Sequence, residues 1–153
     1  MKQIIALAAL VAATCSALLA HADELRKCDF AVKARCVTGD ASVTLANGAV
    51  TKLSVNVDWC GRSGSPGYSC VIDSTRGDHG STWSDDSGAT LITNASPSNP
   101  AQADRVKVTV GKHVSIDLDE AQSLGRCGAG AELPRAIVIP ARGGACRVWL
   151  TEP

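Results

Sequence analysis

Aromatic residues are scarce in this 153-residue chain. It has three Trp, one Tyr and one Phe, which together make up 3% of its residues. Large rings bury the most apolar surface per residue, so their scarcity leaves a core made mainly of Val, Ile and Leu. A thin core of this kind needs covalent support to hold a small domain together.

An excess of charge of either sign is also missing. The chain carries 15 Lys and Arg residues against 15 Asp and Glu residues. A near-neutral domain has no general electrostatic attraction for a polyanion, so nucleic acid is disfavoured as a partner.

Several local motifs of enzymes and metal proteins do not occur. The chain has no Cys-x-x-Cys pair, no Gly-x-Ser-x-Gly elbow, no EF-hand spacing and no phosphate-binding glycine loop. The sequence therefore predicts no metal and no cofactor, and it favours a binding function over an enzymatic one.

The first 22 residues have the three-part layout of a secretory signal. Lys2 gives a positive start, residues 4–20 carry no charge, and Ala20 and Ala22 frame a small-x-small cleavage site. The apolar run falls just short of the roughly 20 residues that span a bilayer as a helix. An uncleaved anchor is the alternative, but it would leave the cleavage site without a purpose.

Cleavage after Ala22 predicts two parts, a signal peptide over residues 1–22 and a single domain over residues 23–153. No second long apolar stretch follows, so we expect no membrane insertion of the mature chain. Its predicted location is the periplasm or the extracellular medium.

Cysteine usage supports an oxidising compartment. Removal of Cys15 with the signal leaves an even number of cysteines, which predicts a disulfide framework. Two cysteines joined by an extended segment, residues 28–36, lie too far apart to pair. The Gly- and Ser-rich loop between Cys60 and Cys70 can fold back, so that pair is preferred. The six cysteines of the mature chain are Cys28, Cys36, Cys60, Cys70, Cys127 and Cys146.

Short alternating segments separated by turn residues run through the mature chain. Asn47-Gly48 is a strong hairpin signal, and Gly111-Lys112 separates two further alternating arms. Residues 119–124 fit one helical turn. The pattern predicts an all-β fold, a small disulfide-stabilised antiparallel β-sandwich or barrel with long loops and little helix.

Three side chains are the binding candidates. Tyr68, Arg76 and Trp83 lie in or beside two polar segments, residues 60–70 and 73–88. Tyr, Trp and Arg are the usual anchors of protein interfaces, and disulfides preorganise the loops that carry them. We therefore expect an exported binding module, an inhibitor or immunity-like protein that engages another extracytoplasmic protein through its loops.

Other functions stay open at this point. A small envelope hydrolase would use His79 or His113, with Asp78 and Ser81 beside the first. A purely structural envelope component is a further possibility. A calcium site would draw on the acidic residues Asp73, Asp78, Asp85 and Asp86.

Overall fold

The computed structural model describes residues 23–61, 67–95, 103–124, 127 and 133–150, without the side chains of residues 122–124. The predicted signal peptide lies outside these residues. The described part contains ten strands and two 3₁₀ turns, one after β1 and one after β8, and it contains no α-helix. The strands are β1 (Glu24–Val32), β2 (Val37–Ala46), β3 (Ala49–Trp59), β4 (Tyr68–Thr75), β5 (Ser81–Asp86), β6 (Ala89–Ala95), β7 (Ala103–Val110), β8 (Val114–Asp117), β9 (Ala136–Ile139) and β10 (Arg147–Trp149).

The strands form two antiparallel sheets, each a simple meander. The first sheet has the order β1-β2-β3-β4, and the second has the order β5 to β10. Within each sheet, strands that follow one another in the sequence pair with each other, and residues 76–80 carry the chain from one sheet to the other. The prediction of an all-β, antiparallel fold is confirmed, and the two sheets correspond to the sandwich rather than the barrel.

Alternation of side chains places one face of each sheet in a shared core. In β3, for example, Leu53, Val55 and Val57 are fully buried, whereas the residues between them are partly or fully exposed. The second sheet contributes Ile92, Val108 and other branched residues to the same cluster. Period-two burial of this kind is what an antiparallel sheet with one solvated face requires.

The two predicted hairpins are present. Asn47 and Gly48 connect β2 to β3 with φ angles of 53° and 79°, which is the positive-φ pair of a type I′ turn. Residues 111–113 connect β7 to β8, where the Gly111 N–H donates to the His113 carbonyl. The helical turn predicted for residues 119–124 is a 3₁₀ turn, Asp119–Leu124.

The first hairpin differs from its sequence interpretation. The alternating stretch over residues 28–36 is not one strand, because β1 ends at Val32 and Lys33–Arg35 forms a 3₁₀ turn. Cys36 then takes a left-handed conformation with φ of 53°. Residues 37–40 are the beginning of β2, although Gly39 and Asp40 are typical turn residues. Pairing of Val32 with Val37 places the chain reversal between these two residues.

Three disulfides connect the six cysteines. The pairs are Cys28–Cys146, Cys36–Cys60 and Cys70–Cys127. As expected, Cys28 and Cys36 do not bond to each other. The preferred pair Cys60–Cys70 is wrong, because Cys36 follows the β1–β2 reversal and lies beside the end of β3, 5.6 Å from Cys60 between Cα atoms. The Cys60 N–H also donates to the Cys36 carbonyl.

The disulfide Cys28–Cys146 joins β1, the first strand, to the residue just before β10, the last strand. The Cys146 N–H donates to the Asp29 carbonyl at 2.9 Å, and Arg26 Nη1 donates to the Ala141 carbonyl at 3.1 Å. These contacts join β1 of the first sheet to the segment that leads into β10 of the second. On the opposite edge, Cys70–Cys127 ties β4 to the chain that follows the second 3₁₀ turn.

Removal of Cys28–Cys146 is expected to destabilise the domain more than removal of Cys36–Cys60. The bridges span 118 and 24 residues, and loop-closure entropy alone makes the longer one worth about 1.4 kcal/mol more. Urea unfolding of the paired Cys→Ala variants measures the difference. Equal losses in the two variants would contradict the assignment of Cys28–Cys146 as the closure.

Gly39 is expected to tolerate no side chain. It lies opposite Phe30 in the β1–β2 ladder, and a Cβ there would collide with the Phe30 ring and the Asn56 carbonyl oxygen. Gly39→Ala should cost about 1–3 kcal/mol, as overpacked sites do. Urea unfolding checks this, with Ser42→Ala on the same strand as the control. A Gly39→Ala protein as stable as the wild type would refute it.

Candidate functional site

The three predicted binding residues do not form one surface. Tyr68 is the first residue of β4, where it pairs with Trp59, and it is 39% exposed. Arg76 follows the other end of the same strand, and there it meets Trp83 of β5. The segment over residues 73–88 is therefore not a loop, since it contains the end of β4 and the whole of β5. Residues 62–66 of the other segment lie outside the described residues.

Arg76 connects the two sheets. Its Nε donates to the Val50 carbonyl at 3.0 Å in the first sheet. Its Nη2 lies 2.8 Å from Asp85 Oδ1 in the second sheet, and its guanidinium is 5.1 Å from the centre of the Trp83 ring. Thr90 donates to the same Asp85 oxygen at 2.7 Å. A side chain held by so many contacts is a cross-link in the fold as well as a partly exposed group.

Asp85 is the acidic end of this cross-link. The hydrogen bond from Arg76 holds the pKa of its carboxyl below the ordinary value, with the Thr90 hydroxyl acting in the same direction. Both partners favour the ionised carboxylate, so the cross-link is complete at neutral pH.

The residues proposed for hydrolysis meet at a small cavity of about 240 Å³ between the end of β4 and the β5–β6 hairpin. Asp78, His79 and Ser81 all line it. No hydrogen bond joins His79 to either of the other two in the described part of the chain, and the Ser81 oxygen accepts instead from Trp83 Nε1 at 2.9 Å. The residue types of a triad are present without the contacts of one.

Asn94 lines the same cavity and was not a sequence candidate. It is 7% exposed, and its Oδ1 accepts from the Ser74 hydroxyl at 2.9 Å. Its Nδ2 is buried and has no hydrogen-bond partner. Asn94 pairs with Asp104 of β7, which is also fully buried. Nothing local in the sequence shows that β6 continues past Asn94 to Ala95.

His113 lies far from His79. It follows the end of β7, whereas the cavity with His79 lies beside Asn94, which pairs with the start of that strand. The Nδ1 atom of His113 is buried without a hydrogen-bond partner. The two histidines therefore belong to opposite ends of the sheet and do not share a site.

The four acidic residues considered for calcium are also dispersed. Asp73 and Asp78 line the small cavity, and the first lies 3.7 Å from Lys52 Nζ. Asp85 binds Arg76, and Asp86 accepts from Ser87. Among the described residues, no three His, Cys, Asp or Glu side chains are placed to share a metal ion.

The outer face of the six-stranded sheet carries a straight row of side chains that crosses every strand. Strand register aligns one residue from each of β5 to β10. Leu91 and Trp149 in this row are 38% and 49% exposed. The row consists of Ser84, Leu91, Lys107, Asp117, Ala136 and Trp149.

The Trp149 end of this row is concave, and we call it the Trp149 groove. It has a volume of about 560 Å³ and is lined by Ser115, Asp117, Asp119, Arg135, Ala136, Val138, Trp149 and Leu150. Trp149 was not among the binding candidates of the sequence analysis. Its phase opposite Val148 and Leu150 was the available signal.

An ion pair forms one wall of the Trp149 groove. Arg135 Nε and Nη2 donate to the two oxygens of Asp119 at 2.7 and 2.9 Å, a two-point contact that fixes the guanidinium plane. These bonds lower the pKa of the Asp119 carboxyl. The Arg135 N–H also donates to the Trp149 carbonyl, and its carbonyl accepts from the Leu118 N–H. The wall is thereby attached to β10 and to the end of β8.

No protein-family model, no curated protein and no solved structure matches the chain. Within the described ranges, no helix is long and apolar enough to cross a membrane.

Substitution of Arg76 by Ala is expected to destabilise the fold in a pH-dependent way. Because the pKa of Asp85 is lowered in the folded state, its ion pair with Arg76 contributes its full stabilisation at any pH above the unfolded-state pKa, about 3.9 for Asp. That contribution is lost as the pH falls through the lower folded-state value. Urea unfolding of wild type and Arg76→Ala should therefore differ more at pH 7 than at pH 2.

Arg105→Ala is the matched control. Arg105 pairs with Glu120 at 3.5 Å on the surface and is more exposed than Arg76, so its removal should change stability little. A loss for Arg76→Ala no larger than that of Arg105→Ala, or independent of pH, would contradict the cross-link between the sheets.

Proposed function

We propose that this chain is an extracytoplasmic binding protein that engages another protein through the Trp149 groove. The observation that carries the proposal is the half-exposed Trp149 beside the fixed Arg135–Asp119 pair. Trp and Arg are the residues that most often dominate binding energy at protein interfaces, in particular where they lie together in a well-packed depression.

The groove is built on the fold, so its shape is set before a partner arrives. Three antiparallel strands form its floor, and the backbone bonds of Arg135 fix its wall. The adjoining disulfide Cys28–Cys146 holds the segment before β10 against β1. A preorganised surface loses less entropy on binding, which favours affinity.

Its composition resembles an interface rather than an ordinary sheet face. Val138, Leu150 and Trp149 supply apolar area, and Asp117 and Arg135 supply charge of both signs at the margin. By contrast, the outward-facing residues of the four-stranded sheet are mainly Ser, Thr, Asn and Asp. An aromatic centre with a charged margin is typical of protein–protein contacts.

An inhibitor or an immunity-like protein would fit this description, and so would an adaptor of the envelope. The three disulfides favour action outside the cytosol, where such bonds persist. Hydrolysis is less well supported, since His79 makes no hydrogen bond to Ser81 or Asp78 in the described residues and His113 lies elsewhere.

Trp149→Ala is expected to weaken partner binding strongly. Affinity capture with the mature chain as bait, from envelope and extracellular extracts of the source cells, identifies the partner by mass spectrometry. Titration calorimetry then gives the affinity. Loss of a central Trp should weaken it by at least about 30-fold, the effect of a hot spot worth 2 kcal/mol.

Leu25→Ser is the matched control, because Leu25 is 56% exposed but lies on the outer face of the other sheet. It removes exposed apolar area without touching the groove, and its affinity should equal that of the wild type. Equal capture by wild type and Trp149→Ala, or no partner in any extract, would overturn the proposal.

A further inference from the structure

The disulfide Cys36–Cys60 is the exposed one of the three bridges. Both of its cysteines are exposed, and both line an open groove of about 380 Å³. Each of the other two bridges contains at least one buried cysteine, since Cys28 is 4% exposed and Cys70 is fully buried. Thiol–disulfide exchange requires an incoming thiolate to reach a sulfur atom. Cys36–Cys60 is therefore the bridge that an external thiol meets first.

This bridge joins two segments whose backbones are already hydrogen-bonded to each other. Val37 pairs with Trp59 at the end of the β2–β3 ladder. One residue further on, the Cys60 N–H donates to the Cys36 carbonyl at 3.1 Å. The other two bridges connect segments that are 118 and 57 residues apart. Because the ladder holds β2 against β3 without help, opening of Cys36–Cys60 leaves both sheets assembled.

Cys36 also has a backbone conformation that residues other than glycine disfavour. Its φ and ψ angles of 53° and 50° lie in the left-handed region, and the chain uses this conformation to pass from the 3₁₀ turn into β2. Such a residue is held in place only by the structure around it, and the bridge to Cys60 is part of that structure. Strained or exposed disulfides are the ones that thiols reduce most readily.

Two charged side chains of the groove distinguish the two sulfur atoms. The lining residues are Ala31, Lys33, Cys36, Val37, Thr38, Asp58, Trp59 and Cys60. Lys33 lies in the turn that leads into Cys36, and a neighbouring ammonium group stabilises a thiolate. Asp58 lies two residues before Cys60, and its carboxylate disfavours a second negative charge there. Cys36 is therefore the better leaving thiolate, and Cys60 is the cysteine that is attacked.

We propose that Cys36–Cys60 is a reversible thiol–disulfide exchange site, at which a protein dithiol reduces the bridge while the fold persists. A thiolate of the dithiol bonds to Cys60 Sγ, the disulfide bond breaks, and Cys36 leaves as a thiolate that takes a proton from water. The second thiol of the dithiol loses its proton and attacks the sulfur bound to Cys60, which leaves in the same way. Two electrons pass to the protein, and the dithiol becomes a disulfide. The Trp149 groove takes no part in this exchange, so the site is independent of the proposed partner.

Limited reduction of the mature protein with dithiothreitol, an uncharged dithiol, tests the site. The reaction runs at neutral pH without denaturant, and the thiols that appear are alkylated and located by peptide mass spectrometry. Cys36 and Cys60 should be modified at least about tenfold faster than the other four cysteines, because a buried bridge is reached only when the fold opens. Circular dichroism of the protein with two free thiols should keep its β-sheet signal, and oxidised glutathione should restore the bridge.

Lys33→Gln is the deciding variant, because it removes the cation beside the leaving thiolate from an exposed position. It should slow the reduction of Cys36–Cys60 about twofold or more, the effect of one nearby surface charge. Lys27→Gln makes the same change at an exposed position of β1 outside the groove, and the rate should then equal that of the wild type.

Three results would overturn the proposal. One is modification of Cys28–Cys146 or Cys70–Cys127 before, or together with, Cys36–Cys60. Another is loss of the β-sheet signal in step with reduction of Cys36–Cys60, which makes this bridge a structural one. The third is an equal rate of reduction in Lys33→Gln and Lys27→Gln.

Discussion

The connection between β1 and the segment before β10 is the constraint on which the rest of the structure depends. A ten-strand meander in two sheets leaves one edge of its first strand and one edge of its last strand unpaired, and the described ladders contain no pairing between β1 and β10 or between β4 and β5. Cys28–Cys146 and the adjacent bond from the Cys146 N–H to the Asp29 carbonyl close the first gap. Without this closure, side-chain packing and the hydrogen bond from Arg26 to the Ala141 carbonyl would be left to hold the sheets face to face along that edge.

The scarcity of aromatic residues explains why closure matters so much. Phe30 is the one aromatic among the buried hydrophobic residues that the structure describes, and the other large core side chains are Leu, Ile and Val. Such a core fixes the distance between sheets less firmly than interlocking rings do. Polar and covalent contacts therefore help to hold the sheets in place. At the second gap, between β4 and β5, Arg76 bonds to both Val50 and Asp85, and Ser74 bonds to Asn94 across the sheets.

The sequence was informative wherever local chemistry decides the structure. Asn47-Gly48 predicts its hairpin because both residues accept positive φ, and alternation over β3 predicts the buried face. The predicted pairing of Cys60 with Cys70 was wrong because its true partner, Cys36, is positioned by the end of β1. The 3₁₀ turn after Val32 that ends β1 has no clear local signal. The candidate sites were harder to predict from the sequence. The order of the strands brings Asn94 to residues 78–81 and Trp149 to Arg135, and no local pattern shows that order.

Both candidate sites follow from the way the sheets are joined. The Trp149 groove lies where β10 is short and is held from behind by Cys28–Cys146, so an outer sheet face can carry a large ring without losing its shape. The Asn94 cavity lies at the other gap, where β4 and β5 do not pair and polar side chains replace the core.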